Sequence, residues 1–97
     1  MQVLKLTKPV KIFDQETDEI ELREPTGKDI EKLGYPFETG GRAYPLAGVV
    51  LAYVRRLGGN IPVTVTDKFT PADTMEAMGV VMSFFGDSES PQKNSET

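Results

Sequence analysis

Cysteine, histidine and tryptophan are all absent from this chain of 97 residues. The absence of cysteine excludes disulfide bonds and thiol nucleophiles, and the absence of histidine excludes an imidazole general base. Together the two absences also remove most zinc-binding patterns. A chain without cysteine fits the reducing environment of the cytosol.

Long apolar stretches and concentrated positive charge are missing as well. The longest apolar run, residues 47–54, is far shorter than the ~20 residues that a membrane-spanning helix needs. Residues 2–6 alternate like a strand, unlike the charged and apolar blocks of a signal peptide. Acidic residues outnumber basic ones by 15 to 11, and the net charge is −4. Because the lysines and arginines form no basic stripe, we expect binding to neither nucleic acid nor a membrane.

The length allows one small domain, and the apolar content of 38% is low. Residues 87–97 contain no apolar side chain that a core could bury, which predicts a disordered C-terminal tail. We therefore expect a single α+β domain over residues 1–86, followed by that tail.

Alternating apolar residues near the N-terminus predict a small antiparallel β-meander of two or three strands. Leu4, Leu6, Val10 and Ile12 alternate with lysines, and Pro9 suggests a break between residues 2–6 and 8–13. A polar turn over residues 14–18 leads to a half-buried strand carrying Ile20 and Leu22. Such a meander needs helices to pack against.

Three to four α-helices are predicted after the strands. The first covers residues 26–33, with Thr26 and Asp29 spaced as a capping box. A loop at residues 34–42 follows, because Pro36 and two glycines disfavour regular structure there. The second helix covers about residues 44–57, with Pro45 in its first turn. Its predicted core stripe consists of Leu46, Val49, Val50, Tyr53, Val54 and Leu57. The last helix begins after Thr70, with Asp73 completing a capping box, and ends at Gly86. Residues 61–68 remain ambiguous, since Pro62 can open a helical turn while the alternation of valine and threonine favours a strand.

No pattern of catalytic residues emerges. The acidic turn lacks the glycine and glutamate that a calcium-binding loop requires at its sixth and twelfth positions, and the residues around Lys28 lack the flanking pattern of a phosphate loop. The turn at residues 40–42 is better explained as a connecting loop than as an anion-binding site. Nothing in the sequence orients Asp67 and Asp73 as an acid pair. We expect no enzymatic activity, no cofactor and no bound metal.

The last helix is the strongest candidate for a binding surface. Methionine is flexible and polarizable, so it suits adaptable apolar interfaces, although the same residues could simply fill the core. A helix that is apolar around most of its circumference can pack inward with one side and bind a partner with the other. Two loop aromatics are secondary candidates, with tucking onto the sheet as the alternative. The six candidate residues for partner binding are Met75, Met78, Met82, Phe85, Tyr35 and Phe37.

One segment resembles a known signature. Residues 20–29 (Ile-Glu-Leu-Arg-Glu-Pro-Thr-Gly-Lys-Asp) are similar to the most specific part of the small tail assembly chaperones of contractile-tailed phages, the type found in Mu-like prophages. Other segments resemble further parts of the family's sequence. They are residues 3–10, Ile61 with Pro62, Asp73, and residues 84–86. The resemblance implies a short helix at residues 61–68, although Val63 to Thr66 are more β-branched than in the family.

The resemblance also implies a function. Such chaperones coat the tape measure protein, a long apolar helical chain, before the tail tube protein polymerises around it. A longer product, made by ribosomal frameshifting, carries an extra domain that recruits tail tube subunits. These proteins act in the bacterial host cytoplasm and are absent from the mature virion. Self-association along the tape measure is compatible with this role, and a minor structural or adaptor protein retained in the virion is the alternative.

The frameshift expectation points to specific codons. Gln92, Lys93 and Asn94 can be encoded by a slippery A-AAA-AAC heptamer, and residues 83–85 can be encoded by a run of thymines. The nucleotide sequence of the gene tests both.

Overall fold

The computed structural model describes residues 1–39 and 43–86. An N-terminal antiparallel hairpin of two strands packs on four helices, and a second short hairpin lies between the first two helices. This confirms the predicted α+β architecture. The predicted tail at residues 87–97 and the predicted turn at residues 40–42 lie outside the described residues. In chain order the elements are β1 (Gln2–Ile12), β2 (Gln15–Leu22), α1 (Gly27–Leu33), β3 (Phe37–Thr39), β4 (Ala43–Pro45), α2 (Ala47–Leu57), α3 (Val63–Thr66) and α4 (Pro71–Gly86).

Strand β1 runs through Pro9 without ending there. Its ladder with β2 is interrupted instead, because the register shifts between Lys5 and Val10. Proline cannot donate to a ladder, so the break falls where the sequence carries Pro9. On β2, the hydroxyl of Thr17 accepts from the backbone N–H of Glu19 and donates to its carbonyl. The predicted break therefore appears as an irregularity within one long strand, so the N-terminal sheet contains two strands.

The core joins both strands of the first hairpin to α2 and α4. The hairpin contributes Leu4, Leu6, Ile20 and Leu22. The predicted stripe of α2 is buried at Val50, Tyr53, Val54 and Leu57, while Leu46 and Val49 are half-buried. The remaining buried apolar residues are Ile61, Val65, Ala77 and Val81. These twelve residues form one cluster, which is the interior of the domain.

A buried carboxylate ties the hairpin to the helices. Asp29 accepts hydrogen bonds from both terminal nitrogens of Arg23, at 2.8 and 2.9 Å, and from Nε of Arg56. It also accepts from the backbone N–H of Thr26 at 2.7 Å, which is the predicted capping contact. We call these four residues the Asp29 junction. It connects the end of β2, the start of α1 and the end of α2, and a backbone bond from Arg23 to the carbonyl of Leu57 runs beside it.

A second carboxylate holds α4 against β1. The backbone N–H of Asp73 donates to Oγ1 of Thr70, as a capping box predicts. Its carboxylate does not return to Thr70 but accepts from the backbone N–H and the hydroxyl of Thr7, at 2.7 and 3.2 Å. Thr7 lies where β1 has lost its register with β2, so Asp73 supplies an acceptor that the ladder does not.

The prediction of a loop over residues 34–42 was wrong in part. Strands β3 and β4 pair antiparallel, with Phe37 opposite Pro45. Proline and glycine disfavour a helix but tolerate a ribbon whose strands are both edges. The predicted start of α2 near Tyr44 was wrong for the same reason: Pro45 belongs to β4, and the helix begins at Ala47.

The ambiguous segment at residues 61–68 contains the short helix α3, as the resemblance implied. The carbonyl of Pro62 accepts from the backbone N–H of Val65, and the hydroxyl of Thr66 accepts from Arg55 on α2. These contacts outweigh the strand propensity of valine and threonine.

Replacing the central carboxylate of the Asp29 junction tests its contribution to stability. The pKa of Asp29 lies well below its ordinary value, chiefly because Arg23 hydrogen-bonds to it, and Arg56 and Thr26 add to the effect against the opposing burial. Above about pH 4, the ordinary pKa of an unfolded aspartate, the ionised group stabilises the fold, and this contribution is lost as the pH falls toward the lower folded pKa. At pH 7, Asp29→Asn should lower the free energy of unfolding by about 3 kcal/mol, measured by urea denaturation.

Asp18→Asn is the matched control, because Asp18 is an exposed aspartate of the hairpin. It should change the stability by less than about 0.5 kcal/mol. Asp29→Asn should also flatten the loss of stability between pH 4 and pH 3. An equally steep loss in wild type and Asp29→Asn would show that the carboxylate does not stabilise the fold.

Candidate functional site

Helix α4 has one clearly inward side. Asp73, Ala77 and Val81, spaced four residues apart, are its buried residues. Residues 77–86 carry no charged side chain, so the apolar character extends well beyond this inward stripe. The helix therefore presents more apolar surface than the core takes up.

The four predicted residues of α4 lie on one flank of the inward stripe. At 3.6 residues per turn, the spacing of Met75, Met78, Met82 and Phe85 keeps them within about a quarter of the helix circumference. Met75 is 67% exposed, and the other three are half-buried. Met78 and Phe85 also pack against the core, as the core-filling alternative predicts, and partner binding by this flank stays a prediction.

The two predicted loop aromatics meet the end of α4. The ring centroids of Tyr35 and Phe37 are 5.5 Å apart, and the ring of Phe85 lies 6.2 Å from Tyr35 and 5.9 Å from Phe37. We call these three residues the aromatic patch. Tyr35 is 57% exposed, and Phe37 and Phe85 are half-buried.

Tyr53 forms the floor of the aromatic patch. Its ring packs edge-on against Phe85 at 5.7 Å, and its hydroxyl donates a 2.6 Å hydrogen bond to the carbonyl of Gly34. Burial, assisted mainly by Asp29, raises the pKa of Tyr53, which keeps the hydroxyl protonated as a donor. Sequence analysis placed Tyr53 only in the core stripe of α2. A buried tyrosine needs a hydrogen-bond partner, and that requirement was the available signal of its second role.

The six predicted residues thus follow α4 from Met75 at one end to the aromatic patch at the other. Tyr35, Phe37 and Phe85 make the aromatic patch, and Met75 lies three turns away, at about 15 Å along α4. Met78 and Met82 lie between these ends on the same flank of the helix. The arrangement is suited to contact with an extended apolar partner.

The two aspartates considered as an acid pair lie in different environments. Asp67 is exposed, whereas Asp73 is buried and bonded to Thr7, so the two do not form an acid pair. Within residues 1–39 and 43–86, no group of three acidic side chains could hold a metal ion. No helix in the same ranges is long and apolar enough to cross a membrane.

Comparison with protein families gives one match. The model of a family described as phage tail assembly chaperone proteins, E, or 41 or 14 matches residues 3–86. No curated protein and no solved structure matches the chain.

Two alanine variants compare the stability contributed by a packed residue and by an exposed residue of this flank. Phe85 contacts Tyr53 as well as the patch, so Phe85→Ala should lower the free energy of unfolding by about 2 kcal/mol. Met75 is largely exposed, so Met75→Ala should change it by less than about 0.5 kcal/mol. Urea denaturation followed by circular dichroism measures both. Equal losses would mean that Met75 belongs to the core in solution.

Proposed function

The chain belongs to the family of phage tail assembly chaperones, and from that membership we propose that it binds the tape measure protein and keeps it soluble before the tail tube polymerises. Membership implies a non-enzymatic role and interaction with tail proteins. The specific partner, its solubilisation and the timing are our proposal.

The carrying observation is the partly exposed apolar surface that the flank of α4 forms together with Tyr35 and Phe37. Tyr35 and Met75 are more than half exposed at its two ends, and half-buried apolar residues connect them. Contiguous apolar surface on a small protein commonly marks an interaction site, because exposing it to water is unfavourable. A partner that covers this flank would remove that cost from both proteins.

A helical partner fits the shape of the flank. The distance of about 15 Å between Met75 and Phe85 matches roughly three turns of a helix lying alongside α4. Such a helix would present apolar residues at i, i+3, i+4 and i+7. The methionines between the two ends can adjust to different side chains, which suits a partner that repeats many non-identical apolar stretches.

The remaining parts of the proposal concern expression and location. We propose that this chain is the short product of a frameshifted gene and that the longer product contacts the tail tube protein. The codons for Gln92, Lys93 and Asn94 are the first place to look for the slippery heptamer. We place the chaperone in the bacterial host cytoplasm and expect none of it in the mature virion.

Co-expression with the tape measure protein tests the binding surface. A double variant, Tyr35→Ser with Met75→Gln, removes the two most exposed apolar groups of the flank. Each truncation should cost about 1 kcal/mol of binding, so the double variant should bind about thirtyfold more weakly and recover correspondingly less tape measure protein with a tagged chaperone.

The matched control changes exposed apolar residues elsewhere. Val3→Thr with Val63→Thr alters two exposed valines of β1 and α3 and should leave the recovered tape measure protein unchanged. If wild type recovers no more tape measure protein than the flank variant does, the proposal fails. Mass spectrometry of purified particles tests the remaining alternative, since a retained adaptor would be found at stoichiometric amounts.

A further inference from the structure

Tyr35 combines a largely exposed side chain with a backbone that is held in place on both sides. Because Tyr35 is 57% exposed, the burial of its ring adds little to the stability of the monomer. Hydrogen bonds nevertheless fix the residues before and after it. An exposed aromatic side chain in a fixed position suits a binding surface, because little conformational freedom is left to lose when a partner binds.

The chain around Tyr35 is anchored at three points. The backbone N–H of Gly34 closes the end of α1, and the carbonyl of Gly34 accepts the 2.6 Å hydrogen bond from the hydroxyl of Tyr53. Pro36 is fully buried, and its carbonyl accepts from the backbone N–H of Leu46 at 2.9 Å. Of these three hydrogen bonds, only the one from Tyr53 comes from a side chain, so a single substitution can remove it.

Helix α1 is fastened to α2 by one hydrogen bond near each of its ends. Asp29, in the first turn, accepts from Nε of Arg56, and Gly34, just past the last turn, accepts from Tyr53. Arg56 and Tyr53 are three residues apart, so they lie on the same side of α2. A helix of seven residues is marginal by itself and depends on such contacts. Loss of the contact at Gly34 would loosen the end of α1 that leads into Tyr35.

The hydroxyl of Tyr53 contributes less to the fold than its ring does. Gly34 is exposed, so water can hydrate its carbonyl when the hydroxyl is absent. The ring of Tyr53 is fully buried and packs edge-on against Phe85, and a phenylalanine would keep that packing. We therefore expect the hydroxyl to affect the orientation of Tyr35 more strongly than it affects the stability of the domain.

We propose that Tyr53 is a positioning residue of the binding surface: its hydroxyl, acting through the carbonyl of Gly34, holds Tyr35 in the orientation that contacts the apolar helical partner. The inference rests on the proposed function, because Tyr35 belongs to the surface assigned to that partner. Tyr53 is buried and does not touch the partner itself. It raises the affinity by reducing the freedom that Tyr35 loses on binding.

The variant Tyr53→Phe in the full-length chain removes the hydroxyl and keeps the ring. The nuclear Overhauser effect between the rings of Tyr35 and Phe85, whose centroids lie 6.2 Å apart, should weaken. The order parameter S² of the Tyr35 amide should fall from about 0.85 to below about 0.6. The Tm should fall by less than about 5 °C, because only one solvent-accessible hydrogen bond is lost. An unchanged ring contact and an unchanged S² would overturn the proposal.

Thr66→Val is the matched control, because it also removes a buried hydroxyl that takes part in hydrogen bonding, here with Arg55. It should lower the Tm as well, while the S² of the Tyr35 amide stays that of wild type. Recovery of co-expressed tape measure protein should fall about fivefold with Tyr53→Phe and stay unchanged with Thr66→Val. Equal losses in the two variants would mean that stability alone sets the recovery, which contradicts a positioning role.

Failure of the proposed function would give a different result from failure of this inference. If wild type recovers no tape measure protein, the proposed partner is wrong, and the ring contact and S² of Tyr35 still decide whether Tyr53 positions it. If Tyr53→Phe recovers as much tape measure protein as wild type does, the positioning role is wrong and the proposed function stands.

Discussion

The fold depends on one buried anion. The first hairpin could not hold its position alone, because two strands with one apolar face are marginal in water. Asp29 fixes the end of β2 to α1 and α2 through two arginines and a backbone N–H. Since both arginines remain partly exposed, their charges keep contact with water while the carboxylate is neutralised from several sides. The Asp29 junction thereby joins the end of the hairpin to α1 and α2, and the apolar core packs beside it.

The small size of the core determines which side of α4 is buried. A core of twelve apolar residues accommodates only one side of α4, whose inward stripe uses the small residue Ala77. Four further apolar residues lie on its flank, where Phe85 meets Tyr35 and Phe37. They are Met75, Met78, Met82 and Phe85. Tyr53 connects the two regions, because its ring is part of the core and its hydroxyl fixes the carbonyl of Gly34 next to Tyr35. This partly exposed apolar surface is thus an extension of the core.

Local rules predicted the local features well. The spacing of Thr26 and Asp29 indicated the start of α1, and the stripe from Val50 to Leu57 indicated the buried side of α2. Sequence could not reveal that Arg56 and Arg23 share Asp29, or that Asp73 binds Thr7, because those partners are distant along the chain and meet only through packing. The β3–β4 hairpin escaped prediction because Pro36 and Pro45 look like breakers when ribbon geometry is not considered. The convergence of Tyr35, Phe37 and Phe85 was likewise hidden, although each residue was a candidate by itself.

The interrupted ladder of β1 also affects the tendency of the chain to aggregate through its strand edges. A long, regular edge strand can template pairing with a neighbouring copy and so begin aggregation. Here the run from Leu6 to Pro9 is out of register, includes a residue without an N–H and has Thr7 already satisfied by Asp73. A continuous ladder along β1 would offer a second copy of the chain an edge with which to pair. The interruption of the ladder therefore disfavours edge-to-edge pairing between two copies of this hairpin.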